Sequence, residues 1–155
     1  MAEPQIRKGT QQDIAAAYAL VKELAVYERA LHEVETSEED LAKAFAENLF
    51  DFFVAEADGQ TVGLALFFNY YSTWKGKSIY LEDLVVKEDY RRQGIGQRLL
   101  DTVIEHAKLH NYQNVLWQVL DWNTSAIDFY EKKGAKLNSE WVNCRLVLNK
   151  QGNEK

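Results

Sequence analysis

The sequence predicts a single α/β domain built on a mixed, mostly antiparallel sheet. Three observations carry this. Apolar stretches at 52–57, 62–69 and 78–86 are separated by the turn signals Asp58-Gly59 and Lys75-Gly76-Lys77, the pattern of an antiparallel meander. Over residues 80–120 the chain runs strand, Gly-rich turn, helix, strand, and that succession needs a crossover that leaves its two strands parallel. Residues 13–29 and those after Ser37 carry apolar side chains at helical spacing, which supplies helices to pack on the sheet.

The composition agrees with one domain spanning residues 1–155. With 46% hydrophobic and 27% charged residues, the chain has enough apolar material for a core without disulfide or metal support. Cys144 is the only cysteine, which excludes an intrachain disulfide and points to a reducing compartment. Residues 1–9 lack an apolar signal region, and no apolar run approaches the roughly 18 residues that span a bilayer, so a cytoplasmic protein with no membrane partner is expected. A net charge of −6 argues against nucleic acid as a partner and suits a cationic small molecule.

Taken in order, residues 6–8 form a short edge strand, and Ile14, Ala17, Tyr18, Val21, Leu24 and Ala25 give the helix over 13–29 its apolar stripe. Tyr27 and Glu28 fall near its end; from the residues alone, Glu28 reads as a solvated helix carboxylate. Thr36 or Ser37 caps the next helix, with Glu38, Glu39 and Asp40 in its first turn and Leu41, Ala44 and Phe45 on its apolar side. After the meander, Ile95, Leu99, Leu100, Val103, Ile104 and Ala107 share one helix face. His106 and His110 stand four apart there, a zinc-compatible spacing, but no Glu follows His106 and no third ligand is near, so no metal is expected. A strand over 115–120 leads through Asp121-Trp122-Asn123 to a helix over 125–133 that stops at Gly134. Asn123 caps that helix, with Thr124 and Ser125 as rivals, and Tyr130 reads as a core aromatic. The segment 139–148, with Trp141, Val142, Arg145, Leu146 and Val147, is predicted to be a final strand.

Two local features carry chemistry. The first is Arg91 to Gly96, RRQGIG, where two glycines let the backbone curl so that amide N–H groups converge at a helix N-terminus, whose dipole favours an anion. It is not a P-loop, because Gln97 and Arg98 follow Gly96, and it lacks the third glycine of the dinucleotide fingerprint. An ordinary strand-to-helix turn also fits these six residues. The second feature is the adjacent pair Glu82 and Asp83 inside an apolar strand. Strand alternation groups Glu82 with Tyr80 and Leu84, and Asp83 with Leu81 and Val85. Neither carboxylate is freely solvated in such a strand, so the pair is either a buried salt bridge or part of a functional site.

Arg91-x-x-Gly94-x-Gly96 resembles the pyrophosphate-binding motif of the GNAT superfamily of acetyl-CoA-dependent N-acetyltransferases. The likeness continues through KELAVYE (22–28), YSTWKGKSIYLED (71–83) and VLDWNTSAIDFYEKKGA (119–135), in family order and over nearly the whole chain. These segments resemble the spermidine/spermine acetyltransferase branch, and YSTWKG and VLDWN are most similar to its thialysine acetyltransferase members. The resemblance implies a sheet of about six to seven strands flanked by about four helices, with the two central strands splayed around the thioester arm. It implies that acetyl-CoA is held by Leu84, Val85, Val86, Arg91, Arg92, Gln93, Gly94, Ile95, Gly96, Gln97 and Asn123. It places Tyr27, Glu28, Trp74, Glu82, Asp83 and, near a late acceptor-site acid, Glu140 around the amine. Tyr130 takes the position of the family's tyrosine that protonates the departing thiolate, and a homodimer is implied as well.

The chemistry needs such groups. An amine with a pKa near about 10 is protonated at neutral pH and must lose a proton before it attacks a thioester, and Glu82 is the candidate base. A leaving thiolate is stabilised by an O–H donor, which gives Tyr130 its reason. Spermidine/spermine enzymes carry Asp-Pro where this chain has Ser72-Thr73, so thialysine or a short diamine is the expected acceptor, and polyamines come second. A non-catalytic acyl-CoA-binding module is the competing class; it would have lost the acid or the base, and both are present here.

Overall fold

The computed structural model describes residues 3–148 and divides into two compact units, Met1–Gln118 and Val119–Lys155. The first unit holds a five-stranded sheet, β1 (Gln5–Lys8), β2 (Asp51–Ala57), β3 (Gln60–Ser72), β4 (Gly76–Val86) and β5 (Asn114–Leu116), arranged spatially in that order. Neighbours from β1 to β4 are antiparallel, and β4–β5 is parallel, as a helical crossover demands. Three helices belong to this unit: α1 (Ile14–Tyr27), α2 (Glu38–Ala46) and α3 (Ile95–Leu109). The mixed α/β class predicted from the sequence is the class observed.

Local chemistry explains the element ends. Ser37 starts α2: its hydroxyl accepts from the Asp40 N–H at 3.1 Å while the Asp40 carboxylate accepts from the Ser37 N–H at 2.8 Å, a reciprocal cap. Asp58 and Gly59 both take left-handed backbone, φ 54° and 75°, the geometry of a tight hairpin between β2 and β3. Arg7 on β1 donates to both carboxylate oxygens of Asp13, at 2.8 and 2.9 Å, which ties the start of α1 to the edge of the sheet. Those hydrogen bonds hold the Asp13 carboxyl down at about 2.

Alternation along the strands divides the core in two. Phe52, Val54, Leu64, Leu66 and Val85 meet Ile14, Ala17 and Leu20 of α1, with Leu41, Ala42 and Phe45 of α2 packed alongside. On the opposite face, α3 lies so close that a Cβ on Gly63 would stand 2.9 Å from Leu99 Cδ1 and 3.4 Å from Ile95 Cγ2. Leu99 and Leu100 are fully buried, and shortening either to Ala is expected to cost about 2–5 kcal/mol.

The second unit contains α4 (Thr124–Lys132). Two sequence expectations change at this end of the chain. The strand over 115–120 stops at Leu116, and residues 139–148 form no strand, so the described sheet has five strands rather than six to seven. A strand exists only through its ladder: β5 has a partner along β4 for three residue pairs, and among its described residues the second unit contains no other strand for 139–148 to join. Trp141, Val142, Leu146 and Leu148 in that segment are 71, 83, 82 and 88% exposed. No helix among the described residues is long and apolar enough to cross a membrane.

Candidate active site

The parallel ladder ends where the chemistry was expected. The parallel ladder runs from Ser78–Asn114 to Tyr80–Leu116 and ends there, so β4 continues to Val86 with only β3 as its described ladder partner. Leu84, Val85 and Val86 lie on this half of β4. Val85 points into the core under α1, so these residues offer the opening their backbone rather than a row of side chains.

A β-bulge sits at the head of the opening. On β3, Leu66 pairs with Asp83 and the next residue, Phe67, pairs with Leu81, which leaves Glu82 as the extra residue. The bulge corrects the face assignment made from simple alternation. Asp83 lies opposite Leu66 and therefore faces α1 with Val85, but Leu81 lies opposite Phe67, whose ring stacks on Phe53 beneath α3. Tyr80, opposite Phe68, returns to the α1 face and so accompanies Asp83 rather than only Glu82. Glu82 itself is exposed, which corrects the expectation that neither carboxylate is freely solvated: as the extra residue of the bulge it is left out of the ladder, and only Asp83 is shielded.

Three acids meet electrically at this point. Burial, reinforced by the charges of Glu82 and Glu28, pushes the Asp83 carboxyl up to about 7, although the residue keeps partial contact with solvent. Burial also raises the Glu28 carboxyl. The Tyr80 phenol is raised by burial first and by the charges of Glu82 and Tyr70 next. Mutual repulsion in a shielded place is the electrostatic form of a site that wants a cation. Glu28 reaches it because it caps the C-terminal end of α1, which runs along the α1 face of β4.

The Gly turn follows β4 directly. Arg92 and Gly94 adopt left-handed backbone at φ 66° and 82°, and Gly94 is the residue before α3. No side chain caps this helix and no acid stands in its first turn, so the N–H groups of Ile95, Gly96 and Gln97 are presented to an anion. A Cβ on Gly94 would meet nothing, and one on Gly96 would meet only Val86 Cγ2 at 3.7 Å, so the space above the turn is clear for a phosphate. The donor set fits the pyrophosphate of acetyl-CoA. Gln93 and Gln97 are exposed beside it, and Ile95 is buried as the anchor of the helix. Arg91 has a different posture: its Nε donates to the Val86 carbonyl at 2.8 Å and its guanidinium lies 5.4 Å from the Tyr27 ring. It thereby links the turn to the end of α1, where Tyr27 and Glu28 stand.

Trp74 sits elsewhere within the first unit. It is 82% exposed at the tip of the β3–β4 hairpin, where Ser72 Oγ accepts from the N–H groups of Trp74 and Lys75 at 3.2 and 2.9 Å. Gly76, the near end of β4, is about 20 Å along the strand from Glu82. The chain therefore does not bring this tryptophan and the acids together by itself.

In the second unit, Asn123 is buried and caps α4, its Oδ1 accepting from the Ala126 N–H at 3.3 Å. Tyr130 lies in the last turn, half-buried, with its ring 5.4 Å from that of Phe129. Gly134, at φ 91°, closes the helix: the Ala135 N–H donates to the Tyr130 carbonyl at 3.1 Å and the Gly134 N–H to that of Glu131 at 2.9 Å. Glu140 is exposed, and its N–H donates to Asn138 Oδ1 at 3.0 Å.

Tyr80 and the bulge escaped the sequence reading. Two adjacent acids inside an apolar strand were the available signal, since a bulge at such a pair turns one acid out to solvent while the other keeps its inward face. Among the described residues no group of three or more His, Cys, Asp and Glu side chains is placed to hold a metal. His106 packs edge-on against Phe53, with ring centroids 5.8 Å apart, and burial lowers its pKa.

An anion cradle at a helix start, beside a parallel ladder that ends after three pairs and three acids at the β4 bulge, is the arrangement expected of an acyl-CoA-dependent amine acyltransferase. The family described as Acetyltransferase (GNAT) family matches residues 17–135. The chain is 40% identical over 146 residues to the thialysine N-epsilon-acetyltransferase of Sus scrofa, covering 88% of this chain and 86% of that protein. It is 34% identical over 146 residues to the human spermidine/spermine N(1)-acetyltransferase-like protein 1, covering 88% of this chain and 21% of that one. Among solved structures, an aminoglycoside acetyltransferase from an uncultured soil metagenomic sample shares the fold, with a TM-score of 0.78 at 21% identity over 94% of this chain and 97% of the other. The chain belongs to the GNAT family and is an acetyl-CoA-dependent N-acetyltransferase.

Proposed function

We propose that the protein acetylates a primary amine of a compact cationic acceptor, a thialysine-like amino acid or a short diamine, by direct attack within a ternary complex. The observation that carries this reading is the trio Glu28, Glu82 and Asp83 gathered at the β4 bulge, next to the Gly turn. Acetyl-CoA supplies an activated acetyl thioester, with its pyrophosphate on the N–H groups at the start of α3 and on Arg92, Gln93 and Gln97. Asp83 and Glu28 hold the acceptor's cationic groups. Glu82, exposed in the bulge, takes the proton from the attacking amine directly or through water. Tyr130 donates its phenolic proton to the departing thiolate, while Asn123 fixes the start of the helix that carries it. A cation beside Asp83 favours its charged form, so amine binding near neutral pH releases a proton.

Resemblance to the thialysine enzyme supports the compact acceptor, as does Ser72, which spends its hydroxyl on the hairpin turn where a polyamine enzyme has an acid. Similarity to the human spermidine/spermine-type protein favours polyamines as the second reading. The family match runs from residue 17 to residue 135, across both units, and supports one functional domain over 1–155. A homodimer in the cytoplasm completes the proposal, and light scattering after gel filtration tests the assembly.

The deciding experiment is acetyl-CoA-dependent thiol release with thialysine, lysine, putrescine, diaminopropane, spermidine and spermine. A preference for thialysine or the short diamines supports the proposal; a preference for spermidine or spermine transfers it to the second reading, and silence with every amine overturns both. Tyr130→Phe is expected to lower kcat by about a hundredfold with little change in coenzyme binding.

A further inference from the structure

The cradle is anchored at both ends, by different means. Downstream, Ile95 and Leu99 are buried and lie close against Gly63. Upstream, the anchor is Tyr90, the last residue of a 3-10 turn over Glu88–Tyr90 and only 9% exposed. Its hydroxyl donates to Asp58 Oδ2 at 2.9 Å and accepts from Gln60 Nε2 at 3.1 Å. Asp58 opens the β2–β3 hairpin turn and Gln60 opens β3, so both partners stand on backbone that the β2–β3 ladder holds. One phenol thus binds the residue before Arg91 to a rigid corner of the sheet.

The turn needs such support. Arg92 and Gly94 both occupy left-handed backbone, and before them the turn is tied locally by the Arg91 N–H on the Glu88 carbonyl at 3.2 Å and by Arg91 Nε on the Val86 carbonyl at 2.8 Å. Phosphate binding depends on several N–H groups aimed at one place, and a displacement of about 1 Å weakens an arrangement of that kind severely.

We propose that Tyr90 is a positioning residue for the pyrophosphate-binding turn, acting through a clamp of Asp58, Tyr90 and Gln60 that fixes where the N–H groups of the cradle stand. The proposal rests on the acetyl-CoA reading of the turn. The charged acceptor makes the tie strong, and the same hydrogen bond raises the phenol above its ordinary value, so the donor keeps its proton throughout the neutral range.

The test is Tyr90→Phe, which removes the hydroxyl and keeps the ring. The KM for acetyl-CoA and the calorimetric Kd for coenzyme A are expected to rise about five- to tenfold, with kcat and the amine KM within about twofold of the parent. S-acetylpantetheine, which has no pyrophosphate, should serve the variant and the parent equally well. Asp58→Asn keeps an acceptor without its charge and is expected to fall between the parent and Tyr90→Phe. Asp58→Ala should reproduce Tyr90→Phe, and the double variant should be no worse than either single one. An unchanged Kd in Tyr90→Phe, an equal loss with both acetyl donors, or a fall in kcat alone overturns the clamp. A parent protein that binds no coenzyme A overturns the acetyl-CoA reading itself, a result separable from the clamp's failure.

Discussion

The two halves of β4 are built for opposite purposes. From Gly76 to Tyr80 the strand is paired with β3, its last three residues are paired with β5 as well, and Ser78 and Ile79 are fully buried. From Glu82 to Val86 only β3 remains as a described ladder partner; the strand begins this stretch with a bulge and carries two acids, one of them held near neutrality. The closed half contributes stability. The open half keeps backbone and charge at an edge where ligands can reach them, at an electrostatic cost to the fold.

Substitutions on the two halves should therefore dissociate. Asp83→Asn or Glu82→Gln is expected to lower kcat/KM for the amine by about 10²–10³-fold, measured by thiol release, without loss of folding. Ile79→Ala, on the closed half, should lower stability in urea by about 3 kcal/mol and leave the KM for both substrates near the parent values. A large loss of stability from Asp83→Asn, or a raised amine KM from Ile79→Ala, would break the contrast.

A smaller effect sharpens it. Asp83 binds its proton more tightly folded than unfolded, so the stability it contributes is complete below about pH 4. That contribution is lost as pH rises through the folded value of about 7. Asp83→Asn should accordingly stabilise the protein at pH 8, by about 1 kcal/mol after solvent screening, and give no gain at pH 4. Denaturant melts at the two pH values check the sign. Smallest of all, Gly94→Ala must hold a methyl at φ 82° and should cost about 1 kcal/mol of stability.

The open half was also the harder half to read. Alternating apolar residues and the Asp58-Gly59 and Gly76 turns announced the meander, and Ser37 announced α2, because each depends on its own neighbours in sequence. Glu82 and Asp83 were visible as a pair, but their faces were not: a bulge is a relation between two strands, and β4 alone does not reveal where β3 skips a residue. The same limit applies to residues 139–148, which have the composition of a strand and no strand partner among the described residues. Arg91 was legible as part of a phosphate motif, while its contact with Tyr27 depends on the end of a helix about sixty residues earlier.

The bulge gives the active-site region an unusual relation to heredity. Deleting a residue from the middle of a strand normally turns half its side chains inside out. Here the loss of Glu82 alone would make the β3–β4 ladder regular and leave every other residue on its present face. Such a chain is expected to fold at least as well as its parent while losing most of its turnover. If Glu82 has the role proposed for it, activity at this site depends on the number of residues as much as on their kind, and a reading-frame-preserving deletion is expected to erase it while the strand ladder stays intact.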